Sequence, residues 1–448
     1  MSAHCPSAIK PSLLTLTLLL TAAATALAGD DPKSAPGALE LKPGDHISII
    51  GGTLADRMQH DGWLETLVYS RFPKYDLVFR NLGFAADELK VRLRSANFGT
   101  PNQWLTKTKT DVIFAFFGYN ESFAGEAGLA AFKRDLEDFI QKTLSQKYNG
   151  QSAPRLVLFS PIAHEDLHSP NLPDGSANSK RLELYTAAMA DVARAKNVMF
   201  VDLFHPTKDL YSRGQGPLTI NGIHLNERGN ELVARAIDAA LFPKGPDARR
   251  DSEYMRKIRQ AMRDTNTIWF NRYRTVDGYS IYGGRAGLSF VGGQTNKDVM
   301  DREMEILDVM TANRDKGVWA AARGKSDFTV DDTNTPAFIP VLTNKPGPLD
   351  GKHLFLDPVE AIKKMTVAKG MKINLFASEK DWPELTNPVQ MSWDNKGRLW
   401  VAVWHTYPHW KPKDPMNDKL IILEDTKGTG KADKMTVFAD NLHCPTGF

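Results

Sequence analysis

Cysteine is nearly absent. Only Cys5 and Cys444 occur in 448 residues, and Cys5 lies in a segment expected to be removed, so no internal disulfide braces the mature protein. Stability must then come from packed cores, for which 42% hydrophobic and 24% charged residues are ordinary proportions. Charge of one sign is also missing. The formal net charge is +3, and no dense run of Lys or Arg marks a phosphate-tracking surface, so nucleic acid is not an expected partner. No Cys-x-x-Cys-His haem attachment sequence is present. A membrane-spanning run is lacking too. Lys10 precedes an apolar stretch from Leu13 to Leu27, which Ala26-Leu27-Ala28 closes before Gly29-Asp30-Asp31. That stretch is too short to span a bilayer comfortably, and small residues occupy the positions a signal peptidase reads. Residues 1–28 therefore read as a secretory signal cleaved before Gly29. The mature chain is expected to be secreted or periplasmic, with no stable membrane span.

After a linker over residues 29–44, strand and helix patterns alternate. His46–Ile50, Tyr75–Phe79, Asp111–Phe117, Arg155–Phe159 and Val198–Val201 are short apolar runs bounded by polar or turn residues, as buried strands are. Between them run helical periods. Leu129, Phe132, Leu136, Phe139 and Ile140 share a face, as do Leu182, Tyr185, Met189 and Val192, and Leu225, Leu232, Val233, Ala236 and Ile237. Such βα units imply an α/β domain over residues 45–243, with a mainly parallel sheet covered on both faces and a ligand crevice beyond the C-terminal strand ends.

Residues 244–328 read as a helical extension packed on that domain. One helix carries Met255, Ile258 and Met262 into Trp269–Arg274, and another runs near Val299–Asn313 with Met304, Leu307 and Met310 on one face. Between them Tyr279–Arg285 is a glycine-rich aromatic loop. A proline-rich linker covers residues 329–352. Over residues 353–448, Lys372–Phe376, Val389–Trp393, Arg398–Val403, Lys419–Leu423 and Met435–Phe438 are strand candidates spaced like those of a propeller blade.

Four blocks lie just past strand ends: Gly51-Gly52-Thr53-Leu54, Asn81-Leu82-Gly83-Phe84-Ala85-Ala86-Asp87, Gly118-Tyr119-Asn120-Glu121 and Asn221-Gly222-Ile223-His224-Leu225-Asn226. In this order and at these places they resemble the SGNH (GDSL-type) hydrolase family, over roughly His46 to Phe242. The resemblance implies a flavodoxin-like three-layer αβα sandwich and an esterase or deacylase of O-acyl groups, on a small-molecule or polysaccharide ester. It implies Thr53 at the nucleophile position, His224 as general base, and Asn221 where an orienting aspartate stands. Asn120 and the backbone N–H groups of Thr53 and Ala86 would hold the oxyanion. No metal or cofactor is implied.

The departures are specific. Thr53 replaces serine, and its branched carbon restricts χ1. Ala86 replaces a glycine, and neutral Asn221 replaces the carboxylate. Glu121 and Asp202 are the candidates to stand in for that carboxylate, Ser122 offers a second hydroxyl near Asn120, and His164 follows the fourth strand. A retired hydrolase scaffold that binds without turnover is therefore the second reading. Residues 375–448, with Asn387–Asp394, Gly397–Ala402 and Leu442–Phe448, resemble the opening of the membrane-bound-dehydrogenase type of β-propeller, similar to quinoprotein sugar dehydrogenases. The fold class expected for the whole is thus α/β followed by a helical extension and an incomplete β-propeller-like segment. A third reading makes the first domain an accessory of such a dehydrogenase. The loop Asp425–Asp433 has the outline of a calcium loop, but Lys427 and Thr429 stand where acidic ligands are needed.

Overall fold

A period of two sorts each strand's residues between two faces, and that sorting builds both cores of the first domain. A computed structural model describes residues 37–214, 216–243, 251–275, 277–325, 327–342, 356–407 and 409–448; the signal segment and its cleavage site lie outside these. Strands β1 (His46–Gly51), β2 (Val78–Asn81), β3 (Val112–Phe116), β4 (Arg155–Phe159) and β5 (Met199–Val201) form a parallel sheet in the order β2-β1-β3-β4-β5. Ile47, Ile49, Phe114 and Phe159 face helices α1 (Thr53–Asp61), α2 (Trp63–Arg71) and α7 (Glu227–Leu241). Ile50, Ile113, Ala115 and Leu158 face α3 (Pro101–Lys107), α4 (Gly125–Leu144) and α5 (Ser176–Ala195). A short helix, α6 (Phe204–Ser212), closes over Leu182 with Phe204. This is the expected three-layer arrangement.

Two boundaries move. The second strand starts at Val78 rather than Tyr75, because Asp76 takes a left-handed φ of 50° that an extended strand does not accommodate. Leu225 precedes α7, where Asn226 caps the helix by accepting the Gly229 N–H at 2.9 Å.

The extension is built on α8 (Ser252–Tyr273), a single turn α9 (Gly278–Ile281) inside the aromatic loop, a hairpin of β6 (Ser289–Val291) and β7 (Gln294–Thr295), and α10 (Asn296–Ala322). The last is longer at both ends than the apolar face suggests, since Thr295 and Asp298 form a capping box. The extension shares both cores of the α/β domain: Met255, Ile258 and Met262 join one, Trp269, Tyr273, Met304 and Leu307 the other. It also covers the outer edge of the sheet. Trp319 Nε1 donates to Leu77 O at 2.7 Å and Trp269 Nε1 to Asn81 O at 2.6 Å, satisfying carbonyls that flank and end β2. Arg80 of β2 forms a bidentate pair with Asp315 of α10 at 2.9 and 2.5 Å.

After α11 (Pro358–Lys363), strands β8 (Pro388–Trp393), β9 (Leu399–Val403), β10 (Asp418–Glu424) and β11 (Lys434–Leu442) make one antiparallel meander. Lys372–Phe376 is not a strand. It crosses beneath this sheet, where Phe376 packs on the core of Leu399, Val401, Ile421 and Leu423, so it covers a face instead of extending an edge. Asp425 accepts the N–H groups of Thr429 at 3.0 Å and Gly430 at 2.6 Å, so its carboxylate closes its own loop. Among the described residues no helix is long and apolar enough to cross a membrane.

Candidate functional site

The first strand ends in a backbone turn that only glycine permits. Gly51 has φ of 134°, and a Cβ there would collide with Phe116 O. Thr53 follows at once as the first residue of α1, so its hydroxyl stands over the sheet's C-terminal edge beside the uncapped N-terminus of that helix. Its Oγ1 accepts the Ala86 N–H at 3.4 Å, a long contact that aims this donor at the threonine hydroxyl. Ala86 has φ of 67°. A methyl in that region costs on the order of 1–2 kcal/mol.

The loop carrying Ala86 is held on several sides. Arg94 pairs with Asp87 through two bonds of 2.8 and 2.7 Å. The guanidinium carbons of Arg94 and Arg274 lie 3.6 and 3.5 Å from the centre of the Phe84 ring, one on each face because a single face has no room for both at that range. Arg274, at the end of α8, also reaches Asp56 of α1 at 2.7 Å.

Asn120 lies just past β3, and its side-chain amide has no hydrogen-bond partner among the described residues, so it is free to meet a ligand. Thr53, Asn120 and His224 line one cavity of about 80 Å³, whose walls include Leu54, Phe116 and Ile162. Asn221 lies behind it on the same loop as His224. Arg57, one turn beyond Thr53, lines it too, although no motif drew attention to it. Burial, reinforced by the Arg57 charge, holds the His224 ring below the ordinary histidine range, so it is neutral at neutral pH. Among the described residues Thr53 Oγ1 and His224 make no direct hydrogen bond.

Asn221 decides which ring nitrogen carries the proton. Its Oδ1 accepts the backbone N–H groups of His224 at 3.0 Å and Ile223 at 3.3 Å. His224 Nδ1 lies 2.9 Å from Asn221 Nδ2 and 3.1 Å from Oδ1. The two contacts call for opposite tautomers. The shorter one prevails, because Oδ1 is already occupied twice and Nδ2 has no other acceptor among the described residues. An amide nitrogen only donates, so Nδ1 accepts and the proton sits on Nε2.

The other sequence candidates fall away from the chemistry. Ser122 is fully buried and donates to Tyr119 O at 2.6 Å. Glu121 is spent on the N–H groups of Leu89 and Gly118, both at 2.9 Å. Asp202 binds His205 Nδ1 at 2.5 Å. None of these carboxylates replaces Asn221. His164 packs against Gly175 and Gly222, where any Cβ would strike its ring, and so wedges the loop that bears Asn221 and His224. Its neighbour Glu165, which sequence reasoning missed, anchors that loop by accepting the N–H groups of Leu218 at 3.0 Å and Thr219 at 2.7 Å, and the Thr219 hydroxyl at 2.6 Å. Only the order of the pattern, a carboxylate beside His164 and far from any cation in sequence, hinted at it.

Residues 44–232 match the GDSL-like Lipase/Acylhydrolase family. Residues 357–448 match a domain of unknown function, DUF7133. No curated protein matches the chain. Among solved structures, similar ones include an alpha/beta hydrolase enzyme from the metagenome of Lake Arreo, at 18% identity and TM-score 0.36 over 45% of this chain and 96% of that one. A catalytic mutant of Axe2, an acetylxylan esterase from Geobacillus stearothermophilus, is similar at 14% identity and TM-score 0.36, over 48% of this chain and 100% of that one. A gut microbial diltiazem-metabolizing enzyme is similar at 15% identity and TM-score 0.37, over 46% and 48% of the two chains.

Proposed function

We propose that the α/β domain hydrolyses short O-acyl esters through Thr53, with His224 as general base. The observation that carries this reading is the meeting of Thr53, Asn120 and His224 in one cavity at the strand ends. The Thr53 hydroxyl would attack the ester carbonyl, His224 would take its proton, and the developing oxyanion would be met by the Asn120 amide and the Ala86 and Thr53 N–H groups. Collapse of that intermediate would break the acyl–oxygen bond and expel the alcohol, which takes the proton back from His224; water, giving a proton to His224, would then attack the threonyl ester, release the acid and restore the Thr53 hydroxyl. A cavity of about 80 Å³ suits an acetyl-sized group, on a scale where one water occupies about 10–15 Å³. The pattern of Lys10 and the Leu13–Leu27 run supports export, and a small-molecule or polysaccharide ester is then the accessible substrate class.

The amide of Asn221 against Nδ1 supports a second reading, a ligand-binding site with little or no turnover. The resemblance of the C-terminal segment keeps a third in view, an accessory domain of a quinoprotein-like dehydrogenase. Hydrolysis of p-nitrophenyl acetate, butyrate and octanoate by the full chain tests the first. The acetate should turn over fastest, and His224→Ala and Thr53→Ala should each lower kcat by roughly 1,000-fold or more. Rates unchanged in both variants would refute it, and binding of acylated sugars without turnover would favour the second reading.

A further inference from the structure

A second cavity, of about 550 Å³, opens beside the first, and Asp87 lines both. It is walled by the segment between β2 and α3, nineteen residues without a regular element, a length of coil that usually serves a binding purpose. Arg92 lines this cavity. Its Nε donates to Glu88 O at 3.2 Å, and its guanidinium lies over the rings of Phe117 and Phe139, with its carbon 4.8 and 5.8 Å from their centres. Among the described residues its terminal nitrogens have no hydrogen bond and it has no ion pair. Neighbouring carboxylates do not cancel it. Asp87 is matched by Arg94, and Glu121 is taken up by backbone N–H groups.

An arginine fork held by aromatic faces, open to a cavity and free of carboxylate, is built to receive a planar or tetrahedral oxyanion through paired N–H donors. The rest of the lining sets the size and polarity of what carries that anion. Gln103 Nε2 and the Ser95 hydroxyl have no partner among the described residues and offer further hydrogen bonds. The volume exceeds what an inorganic ion fills and falls within the range of small-molecule sites.

We propose that this cavity binds the carboxylate or sulfate ester of an acidic sugar, with Arg92 as the residue that recognises the charge. That this places an acyl group of the same saccharide near Thr53 rests on the hydrolase reading; the anion site itself does not.

Calorimetric titration of the full chain with glucuronate, glucose 6-sulfate, glucose and inorganic sulfate tests it at low ionic strength. At least one charged sugar should bind about tenfold or more tightly than glucose and than inorganic sulfate, and the stronger of the two names the anion. Arg92→Gln should bring charged and neutral sugars within about twofold of each other, and Arg92→Lys should keep part of the preference. The proposal is overturned if glucose or inorganic sulfate binds as tightly as both charged sugars, if nothing binds, or if a folded Arg92→Gln protein keeps its discrimination. The wild-type comparison stands even where a variant fails to fold. Turnover is not read in any arm, so a chain inactive on p-nitrophenyl acetate still reports on the cavity, and an active chain indifferent to sugar charge loses only the cavity.

Discussion

Asn221→Asp should convert a slow site into a faster one. With Asn221 Nδ2 at 2.9 Å from His224 Nδ1, the ring carries its proton on Nε2, the atom that in the proposed reaction accepts one from Thr53. Moving the proton to Nδ1 trades that hydrogen bond for one to Asn221 Oδ1, 3.1 Å away and already accepting two backbone N–H groups, at a cost of about 1–2 kcal/mol. At about 1.4 kcal/mol per tenfold, the productive tautomer is populated between roughly 5-fold and 30-fold less than it would be beside a carboxylate. Aspartate also stabilises the imidazolium that forms on attack, and in serine proteases the reverse exchange lowers kcat about ten-thousand-fold. The expected gain in kcat for p-nitrophenyl acetate is therefore about 10-fold to 10,000-fold, with KM little changed. A second readout is the acidic limb of the pH profile. His224 now sits below the ordinary range through burial and the Arg57 charge, so the neutral base persists into mild acid. The new carboxylate favours the protonated ring, so activity should be lost at a higher pH than in the natural chain. A gain under threefold, together with an unmoved limb, would refute the tautomer argument.

Two further outcomes concern stability. Glu65 is buried beneath the extension with one oxygen on Asn266, and burial pushes its carboxyl from 4.5 up to about 7. Below pH 4.5 both folded and unfolded chains keep that proton; between there and pH 7 only the native state does, so stability falls as pH rises, by about 3 kcal/mol in full. Urea titrations at pH 5 and pH 8 should show this loss, and Glu65→Gln should remove most of it. Asp315→Ala strands Arg80 beneath α10, where its partner now makes two bonds of 2.9 and 2.5 Å. It should cost about 3–5 kcal/mol in denaturant unfolding, and a loss under 1 kcal/mol would mean the extension is not anchored there.

The sequence displays the architecture of the α/β domain well because its strands are mostly apolar and its helices α4, α5 and α7 are amphipathic. Arg155–Phe159 begins and ends where its composition says. Tyr75–Phe79 misleads because two aromatic and two aliphatic residues look like a strand, while the backbone of Asp76 turns left. Lys372–Phe376 has strand composition for a different reason, since Phe376 packs against the core of the antiparallel sheet. Within the site, the motif residues Thr53, Asn120, Asn221 and His224 come together. What sequence could not display is the choice among hydrogen bonds: that Glu121, Asp202 and Ser122 are each already engaged, that Glu165 holds the base's loop, and that Arg57 faces the ring. These depend on which partners arrive from distant parts of the chain.

The ring of Phe84 between Arg94 and Arg274 has a consequence for how this protein can be taken apart or inherited. A hydrolase domain is commonly treated as a cassette, separable at its last helix and exchangeable between genes. Here the seam suggested by composition, near residue 243, would remove one arginine from the loop that carries Phe84 and Ala86, leave Asp56 without its ion-pair partner, and bare the indole-capped carbonyls of Leu77 and Asn81. The smallest unit that keeps Arg274, Trp269 and Trp319 beside that loop and edge strand therefore extends into α10.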